Sequence, residues 1–212
     1  MSKNENENGF ISHLAELRKR LIYSFIFLFV FFILCYFFSE YLYGFLVEPF
    51  SNAVRDDGTE RRLIFTALQE TFLTYLKVSF FAAFFVTCPF ILIQLWKFIA
   101  PGLYKHEKKA IAPYLFLTPI LFFLGGVLVY YLIMPLAIKF FLSFESTGTH
   151  TNLPIQLEAK VNEYLSLIMK LIFAFGLSFQ LPVVLSLLAR VGVIDSKFLK
   201  ERRKYVVVII FA

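Results

Sequence analysis

The chain has 212 residues, 59% of them hydrophobic and 17% charged, with 29 Phe and a net charge of +6. This excludes a soluble domain, whose single core could not bury so much apolar side chain, and it excludes disorder, which needs the opposite balance. Mean hydropathy is +0.72, and the apolar residues come in unbroken runs rather than in alternation, so the fold class is an all-α, polytopic membrane protein and not a barrel.

In chain order, Ser12 is the expected N-cap of a helix that carries the basic segment His13 to Arg20 into the first uncharged run, Leu21 to Phe38. This run is longer than the apolar part of a signal peptide. Ser39-Glu40-Tyr41 offers no small-residue cleavage site, so the run reads as a retained span. An outer loop follows, containing Glu48-Pro49 and a turn at Arg55-Asp56-Asp57-Gly58-Thr59. Thr66-Ala67-Leu68-Gln69 has the spacing of a capping box and Glu70 is an acid in the first turn, which starts the second helix there. Its uncharged run is Val78 to Trp96. Pro89 within it leaves the Phe85 carbonyl without a helical donor.

The third run, Ala110 to Ile138, is 29 residues long and contains Pro113, Pro119 and Pro135. It is long enough to tilt or to extend beyond a hydrocarbon core of about 30 Å. Thr147 to Pro154 is a second polar loop, and the fourth uncharged run is Leu171 to Ala189. Gln180 lies at its centre, and Pro182 frees the Ser178 carbonyl. A fifth run begins at Tyr205 and stops at Ala212, too short to cross a bilayer, and reads as a helix cut by the end of the chain. The expectation is a single membrane domain with spans near 21–38, 78–96, 111–138 and 164–189 and an incomplete one at 205–212.

Charge sets the orientation. Segments 1–20, 97–109 and 190–204 hold 14 Lys and Arg against 6 acids, while 39–70 and 139–163 hold 5 against 9. The positive-inside rule puts the N-terminus in the cytoplasm and the two longer loops outside. The basic excess therefore belongs to the cytoplasmic face, and no nucleic-acid-binding motif accompanies it. Cys35 and Cys88 both sit in apolar runs and suggest neither a disulfide nor a metal site.

No catalytic constellation is present: His13, His106 and His150 are not spaced to share a metal, and no span Ser has a nearby His. The chain reads as a non-enzyme without a cofactor. Two acids stand out within the basic face, Glu16 before the first span and Glu107 before the third. Glu16 can pair with Lys19 and Arg20 along its own helix, and Glu107 can answer a helix N-terminus. Alternatively the two carboxylates face a cationic ligand, best an arginine. Gln180 can bond across the helix bundle or contact a partner's span. Lys77 and Lys170 read as snorkelling anchors, Trp96 and Tyr104 as interfacial ones.

Several blocks resemble the TatC family, the multi-spanning subunit of the twin-arginine, Sec-independent protein translocase. These are His13-Leu14-Ala15-Glu16-Leu17-Arg18-Lys19-Arg20, and Gln94-Leu95-Trp96-Lys97-Phe98-Ile99-Ala100-Pro101-Gly102-Leu103-Tyr104-Lys105-His106-Glu107. Glu48-Pro49, Met134-Pro135-Leu136-Ala137, Tyr164-Leu165-Ser166 and Ala174-Phe175-Gly176-Leu177-Ser178-Phe179-Gln180-Leu181-Pro182 continue the likeness in order. The resemblance implies six spans with both termini cytoplasmic, in a bacterial inner membrane. It implies binding of the signal peptides of folded precursors, which carry a consecutive Arg-Arg pair. It further implies assembly with the single-span partners TatA and TatB, self-association in a larger complex, and transport driven by the proton-motive force.

Carried over by that resemblance, Glu16 and Glu107 are the signal-binding acids. Leu17, Arg18, Phe98, Pro101, Leu103, Tyr104, Lys105 and His106 support them, and Pro49, Pro89 and Pro182 are structural. Many relatives carry Glu where this chain has Gln180, a departure that weakens any claim that a charge there is essential and leaves open a polar contact to a partner's span. The competing reading is a secondary transporter or ion channel in which Glu163, Lys170 and Gln180 line a pathway through proline-broken helices.

Overall fold

The computed structural model describes residues 2–55, 62–99, 108–145 and 156–190, and every regular element among them is helical. Helix α1 is Ser2–Phe37, α2 Ser39–Arg55, α3 Glu70–Ile99, α4 Lys108–Leu128, α5 Met134–Leu142, α6 Val161–Ser178 and α7 Leu181–Arg190. A π-helical turn, Val129–Ile133, joins α4 to α5. Four stretches are long and apolar enough to cross a membrane: Ala15–Phe37, Glu70–Leu95, Phe116–Leu142 and Val161–Ala189. Most of the turn expected at 55–59, the polar loop at 147–154 and the run at 205–212 lie outside the described residues.

Helix α1 begins at Ser2, so the expected cap Ser12 lies inside it. From Lys3 to Gly9 the chain has no Pro to stop the helix. At the start of α3 the capping acceptor is Glu70 rather than Gln69. Its Oε2 accepts from the Thr66 amide at 2.8 Å, the Thr66 hydroxyl at 3.2 Å and the Ala67 amide at 3.3 Å. Thr66–Gln69 is still a turn, so the first carboxylate able to reach back to Thr66 belongs to the first helical residue.

The segment after the first span carries a helix of its own. Leu46, Phe50, Ala53 and Val54 recur at helical spacing and are buried. Pro49 sits inside α2, where it deprives the Phe45 carbonyl of its donor. The Tyr130 hydroxyl supplies one, at 2.8 Å, and contacts Glu48 Oε2 at 3.2 Å. Phe45 and Tyr130 stack with ring centroids 4.3 Å apart. The π-helical turn that carries Tyr130 precedes Pro135. The Met134 amide bonds back to the Val129 carbonyl, and the extra residue in that turn accompanies the donor that Pro135 cannot supply. It leaves Tyr130 buried and Tyr131 70% exposed. Tyr130→Phe orphans the Phe45 carbonyl and should lower stability by about 1–3 kcal/mol. Thermal unfolding in detergent checks this, with Tyr131→Phe as the neutral control; equal shifts for the two would contradict the pairing.

The bundle is built from antiparallel neighbours. On α1 and α3, Phe27 stacks on Phe90 at 4.6 Å and Phe32 meets Phe80 at 6.2 Å. On α4 and α6, Gly125 lies against the Phe175 backbone and Gly176 against the Phe122 ring. Small residues let helices approach closely where lipid provides no hydrophobic drive between them. Beyond the far ends of these helices, the segments that follow α2 and precede α6 are tied together. The Ile64 amide donates to the Ala159 carbonyl at 3.1 Å and the Val161 amide to the Ile64 carbonyl at 3.2 Å. The Tyr164 hydroxyl reaches the Leu46 carbonyl at 3.0 Å. Cys35 and Cys88 are both free thiols.

Candidate functional site: a carboxylate and guanidinium at the end of helices α1 and α3

Glu16 and Arg20 lie one helical turn apart on α1, so their side chains share a face. Both Nε and Nη2 of Arg20 donate to the same oxygen, Glu16 Oε1, at 3.1 and 2.6 Å. Nη1 donates to Gln94 Oε1 of α3 at 2.9 Å. The Arg20 side chain is 24% exposed and that of Glu16 40%. Of the two pairings open to Glu16 in the sequence, the structure forms the one with Arg20, while Arg18 and Lys19 are exposed. The link spans 74 residues; its signal in the sequence is a lone amide, Gln94, in an otherwise apolar run.

Directly beneath this cluster, between α1 and α3, is a cavity of about 260 Å³. Its wall is mostly apolar, with Leu21, Phe25 and Ile91 among its residues, and Arg20, Ser24 and Gln94 are its polar members. The Ser24 hydroxyl is bonded back to the Arg20 carbonyl at 3.0 Å. The arrangement therefore offers an acid with a preference for planar N–H donors, followed at once by apolar surface.

Glu107, Pro101, Leu103, Tyr104, Lys105 and His106 lie outside the described residues, and Phe98 belongs to the last turn of α3. Gln180 is 94% buried at the break between α6 and α7, and its Nε2 donates to the Thr118 carbonyl at 2.9 Å. Its polar group is thus engaged across the bundle. The break falls where Pro182 withdraws the donor of the Ser178 carbonyl. By contrast Pro89 and Pro49 are buried inside helices that continue through them. Glu163 and Lys170 are exposed, and the Lys77 ammonium donates to Asn162 Oδ1 at 2.8 Å. In a transporter Glu163, Lys170 and Gln180 would line a pathway; here the first two are exposed and Gln180 bonds Thr118.

Four long apolar helices, a polar cluster at one bundle end and no group of three His, Cys, Asp or Glu able to hold a metal among the described residues define a class: a polytopic α-helical membrane protein. The family model for the Sec-independent protein translocase protein TatC matches residues 12–212. A TatC protein of Magnetococcus marinus is 47% identical over 207 residues, covering 98% of this chain and 73% of its own length. That of Rickettsia prowazekii is 46% identical, covering 96% and 79%. A solved structure described as the crystal structure of the twin arginine translocase receptor TatC in DDM superposes with a TM-score of 0.78 at 36% identity, covering 93% of this chain and 84% of its own. The chain belongs to the TatC family. It is a multi-pass protein of the bacterial inner membrane and a subunit of the Sec-independent translocase, a transport component and not an enzyme.

Proposed function

We propose that the end of the bundle carrying Glu16 faces the cytoplasm and receives the Arg-Arg pair of signal peptides on folded precursors, with Glu16 and Glu107 as the two acids. The orientation rests on the segregation of Lys and Arg along the sequence. The observation that carries the binding reading is the Glu16 carboxylate itself. It accepts a guanidinium through two nitrogens at 3.1 and 2.6 Å, at the mouth of an apolar cavity. The surrounding cations, among them Arg18 and Lys19, repel a basic ligand everywhere except at the acids and so sharpen selection. A Lys-Lys peptide binds more weakly, because an ammonium lacks the planar fork.

Charge alone does not suffice. Two charge-assisted contacts at roughly 1.5–3 kcal/mol each supply about 3–6 kcal/mol. Micromolar affinity needs about 8 kcal/mol, and partly exposed pairs give less than the full value. The apolar part of the signal peptide therefore also docks against the helices or in the lipid beside them. Shortening that segment while keeping Arg-Arg should weaken binding of a labelled peptide by at least tenfold, on the scale of about 1.4 kcal/mol per decade. Unchanged affinity would remove this half of the mechanism.

In the same reading the chain works with TatA- and TatB-type single-span subunits and further copies of itself, using the proton-motive force. The four spans among the described residues are too few to enclose a folded protein, so in this reading the conduit includes other subunits. Crosslinks from a translocating precursor should reach those subunits; crosslinks to this chain alone would contradict it.

A further inference from the structure

We propose that Arg20 is a resident competitor for the Glu16 carboxylate: a ligand's guanidinium must displace it, so Arg20 sets the affinity threshold of the site. The inference rests on the reading of Glu16 as a ligand-binding acid. Three observations carry it. Arg20 presents to Glu16 the chemistry the ligand would bring, planar N–H donors, and spends two of its three nitrogens on a single oxygen at 3.1 and 2.6 Å. A carboxylate has a second oxygen, but a second cation on it would lie within a few ångströms of the Arg20 charge, a repulsion relieved when Arg20 leaves Oε1. Arg20 also has a second hold that does not depend on Glu16, the Gln94 Oε1 of the neighbouring helix at 2.9 Å. When a ligand takes the carboxylate, Arg20 keeps that contact, which lowers the cost of the exchange and makes it reversible.

The exchange has a signature. Displacing Arg20 costs the same whichever cation displaces it, so removing Arg20 tightens Arg-Arg and Lys-Lys peptides by the same factor. If Arg20 instead served to orient Glu16, its loss would weaken the Arg-Arg peptide, and more than the Lys-Lys peptide, since only a planar fork depends on carboxylate orientation. Lys19 supplies the control for net charge, being adjacent and exposed.

The test is a titration of the purified full chain in detergent with a fluorescent Arg-Arg signal peptide and its Lys-Lys counterpart, at low and high salt. The proteins are wild type, Arg20→Gln, Arg20→Lys, Lys19→Gln and Glu16→Gln. Arg20→Gln should bind both peptides about three- to tenfold more tightly, the range of a partly screened ion pair released from competition. Arg20→Lys, which keeps the charge but loses the fork, should show a smaller gain and carries the test if Arg20→Gln does not fold. The gain from Lys19→Gln should vanish at high salt while that from Arg20→Gln persists, because a local, partly buried contact is screened less than an exposed charge. Equal or weaker binding by the Arg20 variants, with Glu16→Gln weakened, overturns the resident competitor and leaves the Glu16 reading standing. Unchanged binding in Glu16→Gln overturns both.

Discussion

Glu107→Gln and Glu16→Gln should each weaken binding of an Arg-Arg peptide by about tenfold to a hundredfold, the equivalent of one charge-assisted hydrogen-bonded contact. Glu16 should fall at the lower end, because its side chain is 40% exposed and Oε1 already holds Arg20. The isosteric amide keeps size and hydrogen-bonding capacity, so the loss reads the charge itself. The double variant should retain only the weak affinity of the apolar segment. Peptide titration on the purified chain measures all three, and a double variant that binds like wild type would mean that other groups hold the arginines.

Gly125→Ala should destabilise the protein by about 1–3 kcal/mol, the range for overpacking a close contact. A Cβ at that position would lie 2.8 Å from the Phe175 carbonyl oxygen and 2.9 Å from its carbon. Both atoms belong to the backbone of α6, so the whole helix must shift rather than one side chain. Gly126→Ala meets the tip of the Phe85 ring, Cζ at 2.7 Å, which a shift of that one side chain relieves, and should cost less. Gly44→Ala has nothing within 4 Å and lies in α2, where Ala is favoured over Gly by about 1 kcal/mol. It should be neutral or stabilising. Thermal unfolding of the three variants in one detergent gives the order directly. Gly125→Ala melting with Gly44→Ala would show that α4 and α6 do not approach as described.

The number of long apolar helices was legible in the sequence because an uncharged run and a span are set by the same requirement, burial of every backbone polar group in lipid. The break at Gln180 was not, because Pro182 orphans the Ser178 carbonyl just as Pro89 orphans that of Phe85, within a helix that continues. The helix α2 was not, because its buried face, Leu46, Phe50, Ala53 and Val54, is short and interspersed with polar residues. Its proline argued against a helix for want of a donor that Tyr130 supplies from 85 residues away. The start of α1 was missed for a local reason: Ser12 has the chemistry of a cap, but nothing upstream of it stops the helix. The capping side chain of α3 was displaced by one residue, from the amide Gln69 to the acid Glu70, which periodicity alone could not decide. In the candidate site, Glu16 was visible as an acid in a basic run. The Arg20–Gln94 bond was not, because it depends on the antiparallel register of α1 against α3, and a one-turn slip would abolish it.

The most direct test of the receptor reading is equilibrium binding of a labelled Arg-Arg signal peptide to the purified chain in detergent, at two salt concentrations, for wild type and Glu107→Gln with the Lys-Lys peptide as control. Binding should prefer Arg-Arg, weaken as salt rises and be lost in large part in Glu107→Gln. Binding by the folded chain that is indifferent to all three changes would contradict the receptor reading.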